Sequence, residues 1–86
     1  MTLAYRVELL KSACKQLLSF PKKTRERLLV ALDELAAEPR AHGVIKLTPP
    51  ELGYRMRVGN VRIKFATFDA EQRIVIREVV DRRDAY

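Results

Sequence analysis

Polar and apolar residues alternate one by one from Gly53 to Lys64, in the run G-Y-R-M-R-V-G-N-V-R-I-K. That is the period of a strand, not of a helix. Tyr54, Met56 and Val58 fall on one side, Arg55 and Arg57 on the other. After Gly59-Asn60 the alternation resumes, with Val61, Ile63 and Phe65 opposed to Arg62 and Lys64. Gly-Asn between two such runs predicts a two-residue hairpin turn, whose first central residue needs a positive φ. A loop of that length sets the pairing: Val58 with Val61, Arg57 with Arg62, Met56 with Ile63, and Arg55 with Lys64. One face of the hairpin suits a core, while the other carries four cations in two facing pairs.

The same pattern predicts the other elements. Tyr5, Val7 and Leu9 alternate with Arg6 and Glu8, giving a half-buried strand over Ala4 to Leu9. The period then lengthens: Leu10, Ala13, Cys14, Leu17 and Leu18 form the apolar stripe of a helix, with Cys14 read as a small buried hydrophobe. Phe20-Pro21 ends that helix, and Thr24, Leu28, Ala31, Leu32, Leu35 and Ala36 give a second stripe that stops at Glu38-Pro39. Two helices joined this tightly form an antiparallel hairpin. Gly43, Pro49, Pro50 and Gly53 punctuate the next connection, with a short extended piece over Val44 to Leu47 and with His42 as a surface residue. The strand after the hairpin turn continues to Phe68, Asp69 to Gln72 make a four-residue turn, and Arg73 to Val80 return. That loop pairs Phe65 with Ile76 and Lys64 with Arg77, but it also sets Glu78 opposite Ile63 on the core face. Either a bulge or a one-residue slip would relieve this, which leaves the side taken by Arg77 open. The polar end, Asp81 to Tyr86, reads as an exposed tail. The expected fold is α+β in a single domain, 1–86: an N-terminal strand, an antiparallel helical hairpin and a three-stranded antiparallel meander. The helices pack on one face of the sheet and the basic face lies opposite.

Charge sharpens this picture. The chain has 17 basic and 11 acidic residues and a net charge of +6. From Val44 to Lys64 there are five cations and one acid, Glu51. Like charges facing each other across a sheet cost up to ~1 kcal/mol per pair. A local conflict of that kind points to use, here an anion held over the sheet, and a polyanion fits best. Lys46, just before the Pro-Pro bend, is placed to reach this face. Lys22, Lys23, Arg25 and Arg27 load the start of the second helix against its dipole, as a solvated helix start or a contact for an anion or an acidic partner.

Several classes fall away. One His and one Cys offer no metal-ligand spacing and no disulfide, and no cofactor-binding motif occurs. No apolar run approaches the ~18 residues of a membrane span, and no signal-peptide pattern is seen. The expectation is a cytoplasmic protein without metal, cofactor or membrane.

The order of elements, with Y-R-M-R-V-G-N-V-R-I-K-F in the hairpin and V-V-D-R-R-D-A-Y at the end, resembles the RelE/ParE superfamily, the toxins of type II toxin–antitoxin modules. The resemblance covers essentially the whole chain and is closer to the RelE branch, whose members cut mRNA in the ribosomal A site. It implies that Arg55 and Arg57 match the basic residues of the first hairpin strand, Arg62 the arginine of the second, and Arg82 the arginine opening the C-terminal motif. Tyr86 is the candidate for the late tyrosine, and Lys46 falls near a basic loop position. Where many relatives carry His or Lys before that last arginine, this chain has Asp81, so the general base stays open.

The chemistry implied is metal-free attack of an RNA 2′-OH on the adjacent phosphate. Guanidinium groups would hold the charge of the phosphorane, being planar, forked and permanently charged. Arg62 and Arg82 would clamp the scissile phosphate. Arg55, Arg57, Lys64 and, if it joins the face, Arg77 would seat the RNA backbone. Tyr86 would stack a base, take the proton, or both; a lysine or tyrosine with its pKa lowered by the cations would serve as base. An acidic antitoxin is the implied partner, with a helix along the helical hairpin or over the basic face. Two other functions stay open: a ParE-like inhibitor that binds DNA gyrase without catalysis, and a basic RNA-binding module without toxicity.

Overall fold

A computed structural model describes residues 4–40 and 43–85 of the chain. Strand β1 (Arg6–Leu9) leads into helices α1 (Lys11–Leu18) and α2 (Lys22–Ala37). Strands β2 (Ile45–Lys46), β3 (Tyr54–Val58), β4 (Val61–Phe68) and β5 (Arg73–Asp81) follow, with short 3-10 turns at Asp69–Glu71 and Arg82–Ala85. The strands form one sheet in the order β1-β5-β4-β3-β2. The α+β class and the meander are as expected from the sequence, but the sheet is wider. β1 joins it parallel to β5, and the short extended piece after the helices becomes the opposite edge strand.

The core follows from the two periods. α1 supplies Ala13 and Leu17, and α2 supplies Leu28, Leu32 and Leu35. Against them lie Val61, Ile63 and Phe65 of β4 and Ile74, Ile76 and Val79 of β5, all in one buried cluster. Phe65, Ile63, Ile74 and Ile76 are fully enclosed. Two expectations are corrected at the margins. Cys14 is exposed, because an eight-residue helix buries only the i, i+4 pair Ala13 and Leu17, leaving Leu10 and Leu18 at its rim. Of the polar end, Asp81 continues β5 and residues 82–85 form a turn, with the Arg82 amide donating to the Asn60 carbonyl at 2.6 Å. Among the described residues no helix is long and apolar enough to cross a membrane.

The bulge anticipated as one of two options is present, and it lies in β5. Phe65 pairs with Ile76 but Lys64 pairs with Glu78, so Arg77 is the extra residue. Val79 thereby regains the core face opposite Ile63, and Glu78 leaves it. The Gln16 side-chain carbonyl of α1 accepts from the Val79 amide at 2.8 Å, fixing the helix to the bulge. Truncating Gln16 to Ala strands a half-buried donor and is expected to cost about 1–2 kcal/mol in urea unfolding; an unchanged midpoint would show that the bond contributes nothing.

Candidate nucleic-acid interface

The hairpin positions the site. Gly59 has φ +59° at the first central position of the turn, as the Gly-Asn pair demands. The observed pairing is Val58 with Val61, Arg57 with Arg62, Met56 with Ile63 and Arg55 with Lys64. Since Val61 and Ile63 are buried against the helices, the four cations emerge on the face that no helix covers.

Two groups of cations form on that face. At the turn end, Arg57 faces Arg62, and the backbone bond from Arg82 to Asn60 brings the last arginine of the proposed clamp beside the same turn. Arg57 is exposed and makes no ion pair among the described residues. Towards the middle of the sheet lie Arg55, Lys64 and Arg77. Here carboxylates intervene: Lys64 Nζ is 2.8 Å from Glu51 Oε1 and 3.4 Å from Glu78 Oε2. The bulge therefore gives the face a second acid that sequence alone put on the core side. Arg77 takes the open face beside the cluster, its charge reaching Glu51, and its Nε is enclosed without a hydrogen-bond partner. The neighbouring edge shows how a facing cation pair is quieted: Arg6 and Arg73 lie opposite each other, and Glu8 bridges them at 3.2 and 2.8 Å.

These contacts set the charge states. The hydrogen bond from Lys64 holds the Glu51 carboxyl below the usual carboxylate range, helped by the charges of Lys64, Arg77 and Arg55. The hydrogen bond to Glu51 raises the Lys64 pKa, overcoming desolvation. A lysine shifted downward by its neighbours was one candidate for the base; Lys64 is shifted the other way and stays protonated. The hydrogen bond from Arg73 likewise lowers the Glu8 carboxyl.

Lys46 does not join the basic face. It pairs with Tyr54, on the side of the sheet that packs against the helices, and Ile45 instead pairs with Arg55 on the open side. Tyr86 and His42 lie outside the described residues. A feature missed in the sequence is a groove between α2 and β3. Val30, Met56 and Val58 line it among the basic side chains Lys23, Arg27 and Arg57 and the acids Glu26 and Glu34. The basic start of α2 was its only advance sign.

No protein-family model matches the sequence, and no curated protein does either. Solved structures do match. A chain of the archaeal RelE–RelB complex from Pyrococcus horikoshii is 30% identical, with 95% of this chain and 97% of that one covered and a TM-score of 0.77. A chain of a RelBE toxin–antitoxin complex from Mycobacterium tuberculosis aligns with a TM-score of 0.83 at 23% identity, over 93% of this chain and all of that one. The isolated E. coli RelE toxin aligns with a TM-score of 0.78 at 21% identity, over 91% of this chain and 84% of that one. The likeness thus spans both chains end to end, in sequence as well as in fold, and this protein belongs to the RelE-like toxin superfamily.

Proposed function

We propose that this chain is the toxin of a type II toxin–antitoxin module and cuts messenger RNA in the ribosomal A site of the cytoplasm. The observation that carries this reading is the facing Arg57–Arg62 pair on an uncovered sheet face, with Arg82 tied to the same turn. Forked, permanently charged groups gathered at one point suit a phosphate whose charge grows during reaction. In the proposed reaction the 2′-OH of the RNA attacks the adjacent phosphorus, the 5′-oxygen leaves, and one proton is removed while another is supplied. Arg62 and Arg82 hold the pentavalent phosphorane. Arg55 and Arg57 seat the flanking backbone. Lys64, kept protonated by Glu51 and Glu78, acts as a fixed cation and not as the base; Tyr86 remains the candidate for base stacking or proton removal.

The second partner is an acidic antitoxin, as in the RelE–RelB complexes to which this chain is similar. The α2–β3 groove suits one of its helices, because Val30, Met56 and Val58 offer apolar contact while Lys23, Arg27 and Arg57, which outnumber the lining acids Glu26 and Glu34, would meet its carboxylates.

The test is to add purified protein to translating ribosomes and map mRNA ends. New 3′ ends within A-site codons are expected. Gyrase-dependent DNA breaks with no new 3′ ends would overturn the nuclease reading in favour of a gyrase inhibitor.

A further inference from the structure

Glu51, which reaches Lys64 on the basic face, comes from a loop. Its partner acid, Glu78, has its backbone held in β5, so it can move only by rotation of its own side chain. The loop that carries Glu51 has a fixed stem: the Leu47 amide donates to the Gly53 carbonyl at 2.9 Å, and Gly53 lies against the Phe65 backbone. Beyond that stem, Glu51 and Leu52 are exposed. The Glu51 side chain has one hydrogen bond among the described residues, to Lys64. It can swing away without disturbing the core or the stem.

What it would leave behind is a set of cations short of an anion. Lys64 would keep only the longer contact to Glu78 at 3.4 Å. Arg55 and Arg77 hold no carboxylate among the described residues, and the Arg77 Nε has no hydrogen-bond partner. Three cations would then face one acid. A carboxylate oxygen accepts from an ammonium group much as a phosphate oxygen does.

We infer that Lys64, Arg55 and Arg77 form a phosphate-binding site which the Glu51 carboxylate fills in the unliganded protein, so that Glu51 is an internal competitor for a backbone phosphate of the RNA. This rests on the RNA-cutting function proposed above, and it adds to it a second phosphate position, away from the Arg57–Arg62 pair, with a built-in occupant. The cost of displacing Glu51 falls on every polyanion that lands there, which weakens binding to RNA in general.

The competition can be tested without ribosomes. Inorganic pyrophosphate is titrated into the wild type and into Glu51→Gln, with nitrogen-15 NMR of the arginine side chains as the readout. Glu51→Gln is expected to bind pyrophosphate up to about fivefold more tightly, the range set by an exposed ion pair. The Arg77 Nε signal should move in the variant at lower pyrophosphate than in the wild type. Equal affinity, or weaker binding by Glu51→Gln, overturns the inference. Lys64→Met serves as the control and should lose the gain when combined with Glu51→Gln; a gain that persists also overturns it. Failure of mRNA cleavage by the wild type would count against the nuclease reading alone, since the pyrophosphate titration does not depend on it.

Discussion

Replacing Arg62 by alanine is expected to slow mRNA cleavage on the ribosome about 100- to 1,000-fold, the loss that follows removal of one preorganised donor to a developing oxyanion. The position explains the size. Arg62 sits in β4 between Arg57 on one side and Val80 on the other, one residue from fully buried Ile63. Its backbone cannot shift to let a neighbour take over. Lysine should restore only part of the rate, because an ammonium group lacks the planar fork that grips two phosphate oxygens. The residue faces away from the core, so the melting temperature should change little, and antitoxin capture through the α2–β3 groove should stay near the wild-type level. The measurement is single-turnover cleavage of mRNA in the A site, alongside a pull-down with the antitoxin. Cleavage by Arg62→Ala at the wild-type rate would remove this arginine from the proposed clamp.

Gly53→Ala should lower stability by about 3 kcal/mol, a large share of what a domain of this size commands. Gly53 has φ +103°, which an L side chain rarely adopts, and a Cβ there would meet the Phe65 carbonyl oxygen at 2.5 Å and its carbon at 3.4 Å. Phe65 is fully buried in the middle of the sheet, and its backbone is paired to β3 and β5 on both sides. Neither partner can retreat cheaply, so strain and collision add. Urea unfolding should show a lower midpoint with an unchanged slope, and heating a drop on the order of 15 °C. Leu52→Ala, one residue away and exposed, should stay within about 0.5 kcal/mol of the wild type. A Gly53→Ala protein as stable as Leu52→Ala would mean that the loop relaxes freely.

The parts legible in the sequence were those fixed by local geometry. A two-residue turn leaves no choice of register, so all four cross-strand pairs of the hairpin could be written from Gly59-Asn60 and the alternation around it. The four-residue turn at Asp69 to Gln72 gave the Phe65–Ile76 pair in the same way. What escaped depends on contacts between distant segments. The bulge at Arg77 had a visible symptom, two polar residues in succession within I-V-I-R-E-V-V, but a slip of one residue accounts for the same symptom. The Gln16 side chain at the Val79 amide, a contact from a distant helix, is one of the features that go with the bulge. The parallel pairing of β1 with β5 joins residues more than sixty positions apart, and no period within either strand announces it. Lys46 was misplaced because two residues are too few to fix a parity before their partner strand is known. The salt bridge from Glu51 to Lys64 was hidden for the same reason, being a loop folded over a sheet.

The bond between the Arg82 amide and the Asn60 carbonyl has a mechanical consequence. It fastens the final turn of the chain to the tip of the hairpin, so the two arginines of the proposed clamp ride on a single rigid piece. A residue added at the tip would do double damage, rotating the second strand's side chains to the wrong side and casting off the segment that carries Arg82. Length changes in this molecule are therefore harmless only away from that junction, and the tip of the hairpin is the part whose size must be kept.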